Sequence, residues 1–105
     1  MKQNVEILRR RYADLGQKLG DPDILQDQQR YRELARDHRR TEKQLKIGER
    51  WLDLQTQVEN NRELLHGEHD PEMVAMIRED LARLEPLLEE AEMAFETALL
   101  PHDPN

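Results

Sequence analysis

The stretch from Pro71 to Leu100 constrains the fold more than any other part of the chain. Val74, Ile77, Leu81, Leu84, Leu88, Ala91, Phe95 and Ala98 recur at alternating steps of three and four. Residues so spaced share one face of an α-helix, so this is the seam of a helix that buries a single stripe against other helices. Pro86 falls inside it, removing one backbone hydrogen bond and crowding the preceding turn at a cost of about 3 kcal/mol unless the helix bends. The seam stays in phase from Leu84 to Leu88, which predicts a bend rather than a break. After Leu100, Pro101 and Pro104 remove donors and restrict the residues before them, which stops the helix.

Two earlier segments repeat the pattern. Val5, Leu8, Tyr12, Leu15 and Leu19 define an amphipathic helix over Lys2 to Leu19, with Gly20 the expected left-handed stop and Asp21-Pro22-Asp23 a turn. Ile24 and Leu25 are expected to tuck that turn under the core. Asp27 is placed to cap a longer helix from Gln28 to about Leu65, whose inner side is marked by Tyr31, Leu34, His38, Thr41, Leu45, Leu52, Leu54, Val58 and Leu65. Its register slips near Gly48, where the seam crosses from Leu45 to the Trp51-Leu52 pair; this glycine costs about 1 kcal/mol relative to Ala inside a helix and marks either a bend or a close approach of a neighbour. Gly67 then serves as C-cap, Asp70 as N-cap and Pro71 as the first residue of the last helix.

At about 1.5 Å per residue the helices span roughly 27, 57 and 43 Å. The short connection at His66 to Asp70 forces the second and third to run antiparallel, and the first must fold back on the start of the second. The expected fold is all-α: an antiparallel three-helix bundle tapering to a long two-helix coiled-coil hairpin. Residues 1–100 form one helical domain, and 101–105 are expected to begin a linker to further domains.

Charged residues reach 37% of the chain and aromatic ones only 4%, so the core is thin and aliphatic, and a deep pocket is disfavoured. The absence of Cys excludes disulfides and thiolate metal sites and fits a reducing compartment. No apolar leader or membrane-length run is present, so a soluble, cytoplasmic location is expected, with no membrane partner. The net charge of −7 is unevenly spread. Residues 1–50 hold 13 Lys/Arg against 9 Asp/Glu, whereas residues 51–105 hold 3 against 14.

Patterns that carry chemistry are scarce. His66, Glu68, His69 and Asp70 offer imidazole and carboxylate ligands, but their spacing is wrong for a helical His-Glu-x-x-His site, and Gly67 and Pro71 explain the stretch as a helix connection. His38 lies on the inner seam, where a packed histidine outweighs a catalytic one. Glu79-Asp80 and Glu89-Glu90 are sequence neighbours, splayed by about 100° on a helix, and so solvated rather than paired for acid/base work. There is no phosphate-binding glycine loop, nucleophile elbow or Cys/His couple, hence no enzyme and no cofactor is expected.

The basic residues are more informative. Arg36, Arg39, Arg40, Lys43, Lys46 and Arg50 fall along one face of the second helix, and Arg9-Arg10-Arg11 of the first helix could lie beside them. Two readings stand at this level: a solvated face interleaved with Glu42 and Glu49, or an edge that contacts phosphates without reading bases. No aromatics interleave the stripe, so base stacking is not suggested.

Leu99-Leu100-Pro101-His102-Asp103-Pro104-Asn105, following a helix that opens Asp70-Pro71-Glu72-Met73, resembles the junction between the first and second domains of the class I bacterial peptide chain release factors. Leu19-Gly20-Asp21-Pro22 and Tyr31-Arg32-Glu33-Leu34-Ala35-Arg36 are similar to that family's first turn and long helix. The resemblance implies translation termination, in which the full-length protein recognises the stop codons UAA and UAG and triggers peptidyl-tRNA hydrolysis. The family's Gly-Gly-Gln and Pro-x-Thr motifs are absent from these residues, so no catalytic or codon-reading residue carries over. The implied role is an N-terminal ribosome-docking domain. Its implied partners are the large-subunit stalk base, through ribosomal RNA or protein, and the recycling GTPase release factor. The alternative is a free-standing coiled-coil adaptor or oligomerisation module, and exposed apolar residues such as Leu99 and Leu100 leave a homodimer open.

Overall fold

The computed structural model describes residues 1–101, and the expected linker beyond Pro101 lies outside the described residues. Four helices follow in order: α1, Lys2–Leu19; α2, Pro22–Leu25; α3, Gln28–Gly67; and α4, Pro71–Ala98. The fold is all-α, with no strand among the described residues. None of the helices is long and apolar enough to cross a membrane. The chain divides into two compact units, Met1–Gly48 and Glu49–Asn105, with the division inside α3.

In the first unit the α1 seam is as the spacing predicts: Val5, Leu8 and Leu15 are buried, and Tyr12 and Leu19 half-buried. Tyr12 stacks on His38 of α3 with ring centroids 4.5 Å apart and planes 11° from parallel. A Cβ added at Gly16 would lie 3.6 Å from His38 Nε2. The last turns of α1 therefore cross α3 near His38, some ten residues into that helix, which requires the chain to reverse between Leu19 and Gln28.

That reversal differs from expectation. Gly20 is right-handed, with φ −93° and ψ −3°, and no glycine has a positive φ. Instead of flipping into the left-handed region, Gly20 donates to the Gln17 carbonyl at 3.1 Å, and the turn is made by α2. Asp21 caps that helix by accepting from the Asp23 amide at 3.0 Å, with Pro22 pre-set in its first turn. So short a helix faces inward with one side only: Ile24 is buried, and Leu25, expected to tuck in with it, is 55% exposed.

The expected cap of α3 is present, the Asp27 carboxylate accepting from the Arg30 amide at 3.2 Å. Inward-facing residues of α3 are Thr41, Gly48, Trp51, Leu54 and Val58, with Leu34, His38, Leu45, Leu52 and Leu65 half-buried. The seam passes Gly48 in consecutive steps of three, so Trp51 takes the buried position and Leu52 the flank. Tyr31, expected inside, is exposed. The helix also runs two residues further than predicted, through Gly67, which is its last residue rather than a left-handed cap.

In the second unit α3 and α4 form an antiparallel hairpin. Trp51 packs on Phe95 with centroids 5.7 Å apart, and nearer the connection Arg62 reaches Glu85 at 3.8 Å and Asn61 bonds Asp80. The predicted start of α4 holds: Asp70 accepts from the Glu72 amide at 3.1 Å, with Pro71 in the first turn. Ile77, Leu81, Leu84, Ala91 and Phe95 are buried and Val74, Leu88 and Ala98 half-buried, which is the seam read from the sequence. The helix continues without a break through Pro86, which lies on its exposed side.

Candidate nucleic-acid interface

On the first unit, α3 presents Arg36, Arg39, Arg40, Lys43 and Lys46. At 100° per residue these five fall within an arc of roughly 120°, and buried Thr41 and half-buried Leu45 lie roughly opposite. The same packing that turns Thr41 inward therefore turns the basic residues out. Arg36, Arg39, Lys43 and Lys46 are exposed and Arg40 is half-buried. Arg40 Nη2 donates to Asp37 Oδ1 at 2.7 Å, and Lys46 Nζ lies 3.2 Å from Glu42 Oε1. Arg36, Arg39 and Lys43 form no ion pair among the described residues. Exposed pairs of the Arg40 and Lys46 kind are worth about 0–1 kcal/mol, so a phosphate can displace the carboxylates cheaply.

Arg50 is exposed as well, but it belongs to the first residues of the second unit. Arg9, Arg10 and Arg11 all lie on the surface of α1, and Arg9 Nη1 is held 3.0 Å from Glu6 Oε1. Because Tyr12 stacks on His38, the α1 turn carrying Arg11 crosses α3 at the turn carrying Arg39. Met1–Gly48 holds 12 Lys/Arg against 8 Asp/Glu, a balance of +4 that adds long-range attraction for anions to the local stripe.

The His66 to Asp70 stretch is occupied with helix termini. Glu68 Oε1 accepts from the backbone amides of His69 and Asp70 at 3.2 and 3.0 Å, and Asp70 caps α4. No group of three potential ligands is placed to hold a metal ion among the described residues.

One feature of the second unit escaped the heptad reading. Asn61, Met73, Met76, Ile77, Glu79, Asp80 and Arg83 line an open groove of about 560 Å³. Met73 and Met76 are 42% and 63% exposed there, and Leu64, one turn from Asn61 on the same face, is 60% exposed. At one end Asp80 accepts from Asn61 Nδ2 at 2.8 Å and from Arg83 Nη2 at 2.8 Å and Nε at 3.2 Å. The Arg83 hydrogen bonds first, and the Asn61 bond second, lower the Asp80 pKa below the ordinary carboxylate value. The available signal was a pair of methionines three apart, off the seam and between Glu72 and Glu79.

Comparison with known proteins gives a consistent result. The PCRF domain model matches residues 8–105. A peptide chain release factor 1 of Acidobacterium capsulatum is 34% identical over all 105 residues, and one of Oleidesulfovibrio alaskensis is 35% identical over 104. One of Lactiplantibacillus plantarum is 34% identical over 95 residues, 90% of this chain. The chain spans only 29%, 29% and 26% of these three relatives, respectively. No solved structure matches it significantly.

Proposed function

The chain belongs to the PCRF-domain family of peptide chain release factors, and on that footing we propose that it is the ribosome-docking domain of a translation termination factor. In this reading stop-codon recognition at UAA and UAG and the triggering of peptidyl-tRNA hydrolysis belong to parts of the factor other than these residues. The chain carries neither Gly-Gly-Gln nor Pro-x-Thr. Its own task is to hold the factor on the large subunit near the stalk base, where it would also be within reach of a recycling GTPase.

The observation that carries the reading is the exposed stripe of Arg36, Arg39, Arg40, Lys43 and Lys46, three of whose five charges have no intramolecular partner among the described residues. Such a face suits the phosphates of folded RNA. Arg fits two phosphate oxygens at once, Lys adds a mobile point charge, and no aromatic is present to stack a base.

The test is binding of the chain to purified bacterial ribosomes across a salt series, comparing it with the triple variant Arg39→Glu, Lys43→Glu, Lys46→Glu. All three side chains are exposed, so folding should be unaffected. Affinity should fall by roughly tenfold or more, and the slope of log K against log salt should become shallower by about two to three. Equal affinity and equal slope would show that the stripe is only solvated.

A further inference from the structure

The second unit carries a surface of the opposite kind. We infer that the groove between Asn61 of α3 and the Met73–Arg83 stretch of α4 docks a basic amphipathic helix of a protein partner. This goes beyond the proposed RNA contact and uses none of its residues.

Three observations converge on that occupant. First, Met73 and Met76 sit three residues apart on α4 and line the groove, an exposed apolar strip off the buried seam. Methionine is unbranched and polarisable and moulds to varied side chains, which suits a groove that receives another helix's apolar edge. Second, the strip is bordered by carboxylates. Glu72 and Glu79 lie one turn to either side of Met76 on the same helix face, and Asp80 closes one end. Third, Glu49–Asn105 holds 4 Lys/Arg against 15 Asp/Glu, a balance of −11.

Charge decides among the candidates. A nucleic acid or an anionic membrane surface would be repelled by this unit. A second copy of the same face would bring two acidic rims together, so self-association through it is opposed. A helix with Leu-type residues at i, i+3, i+4 and i+7 and Lys or Arg on its flanks satisfies both requirements at once. Its apolar edge covers Met73 and Met76, and its cations meet Glu72 and Glu79. Asp80 is held by Asn61 and Arg83, so it shapes the groove end while Glu79 remains for the partner.

The probe is a synthetic amphipathic Leu/Lys helix, titrated into the 105-residue chain while the methionine methyl resonances are followed by NMR. Met73 and Met76 should shift saturably, and Met93, a methionine elsewhere on α4 as exposed as Met76, should not. The double variant Met73→Gln, Met76→Gln should bind roughly tenfold more weakly, and Met93→Gln should bind as the parent does. Because both methionines are exposed, circular dichroism should show the variants folded. A Leu/Glu helix should fail to bind.

Equal binding by plain polylysine would reduce the effect to diffuse charge and overturn the proposal. Equal shifts at Met93, or no shift at all, would do the same. So would shifts of Met73 and Met76 that depend on protein concentration without peptide, which would place a second copy in the groove.

Discussion

Among the described residues each unit holds one aromatic pair, and the two pairs are built differently. In the first, Tyr12 and His38 stack face to face at 4.5 Å and both rings stay half-buried. In the second, Trp51 and Phe95 meet at 35° and 5.7 Å and are 3% and 0% exposed. The first pair ties two helices together at the edge of a thin aliphatic core, close to a basic surface. The second is itself the core, on a hairpin whose outside is crowded with carboxylates. The first unit offers a partner its charge, and the second the few apolar residues left uncovered. In both, the heptad seam determines which side chains remain to meet a partner.

The sharpest break in this comparison comes from truncation. Phe95→Ala should cost about 3–5 kcal/mol, since it empties a fully buried aromatic site. Tyr12→Ala, at a half-exposed stack, should cost only roughly 1–2 kcal/mol. Urea melts followed by circular dichroism measure both, and Trp51, the only tryptophan, reports the loss of Phe95 directly by fluorescence. Equal costs would mean that the two pairs do the same structural work.

A smaller effect is expected from acid. Because the folded pKa of Asp80 is depressed, its contribution is fully present above the ordinary carboxylate value of about 3.9 and is lost as pH falls below that toward the folded value. Asp80→Asn should therefore flatten the part of the stability profile below about pH 4 and leave the profile near neutrality parallel to the parent's. An unchanged acid limb in chemical denaturation would remove Asp80 from the account. The group is half exposed, so the amplitude should be modest and reduced by salt.

Smallest is the outcome at Gly20. A left-handed glycine resists substitution, but this one has φ −93°, and an added Cβ would meet only the Gln17 carbonyl oxygen at an ordinary 3.5 Å. Gly20→Ala should be neutral or stabilising by up to about 1 kcal/mol, through the reduced freedom of the unfolded chain. A loss of more than about 1 kcal/mol in a thermal melt would restore the left-handed stop that the sequence suggested.

Much of the architecture was legible because it depends on period and local capping. The α4 seam from Val74 to Ala98, the Asp70-Pro71 start and the Asp27 cap each follow from neighbours within one or two turns. The basic stripe was legible for the same reason, since its residues share one helix face. The misreadings have a different origin. Leu25 and Tyr31 are apolar enough to be buried, but α2 supplies a single inward position and the start of α3 leaves Tyr31 at the surface. Of the Trp51-Leu52 pair to which the seam crosses near Gly48, Trp51 is the buried member and Leu52 the flank, because a run of three-residue steps rotates the seam there. The methionine groove was missed because two apolar residues off a seam look incidental until Asn61 and Asp80 are seen to bring α3 and α4 together beside them.

By itself, then, the sequence determined the number and spans of the long helices, their polarity, the family resemblance and the contrast in charge between the two halves. These are properties of spacing and composition, and they survive any rearrangement of the helices. Only the tertiary structure decided which apolar residues remain exposed, how the chain reverses between α1 and α3, and where Asp80 finds its partners. Burial and a reversal depend on what lies across from a residue, and the partner across from it can be as far away in the chain as Phe95 is from Trp51, or none at all.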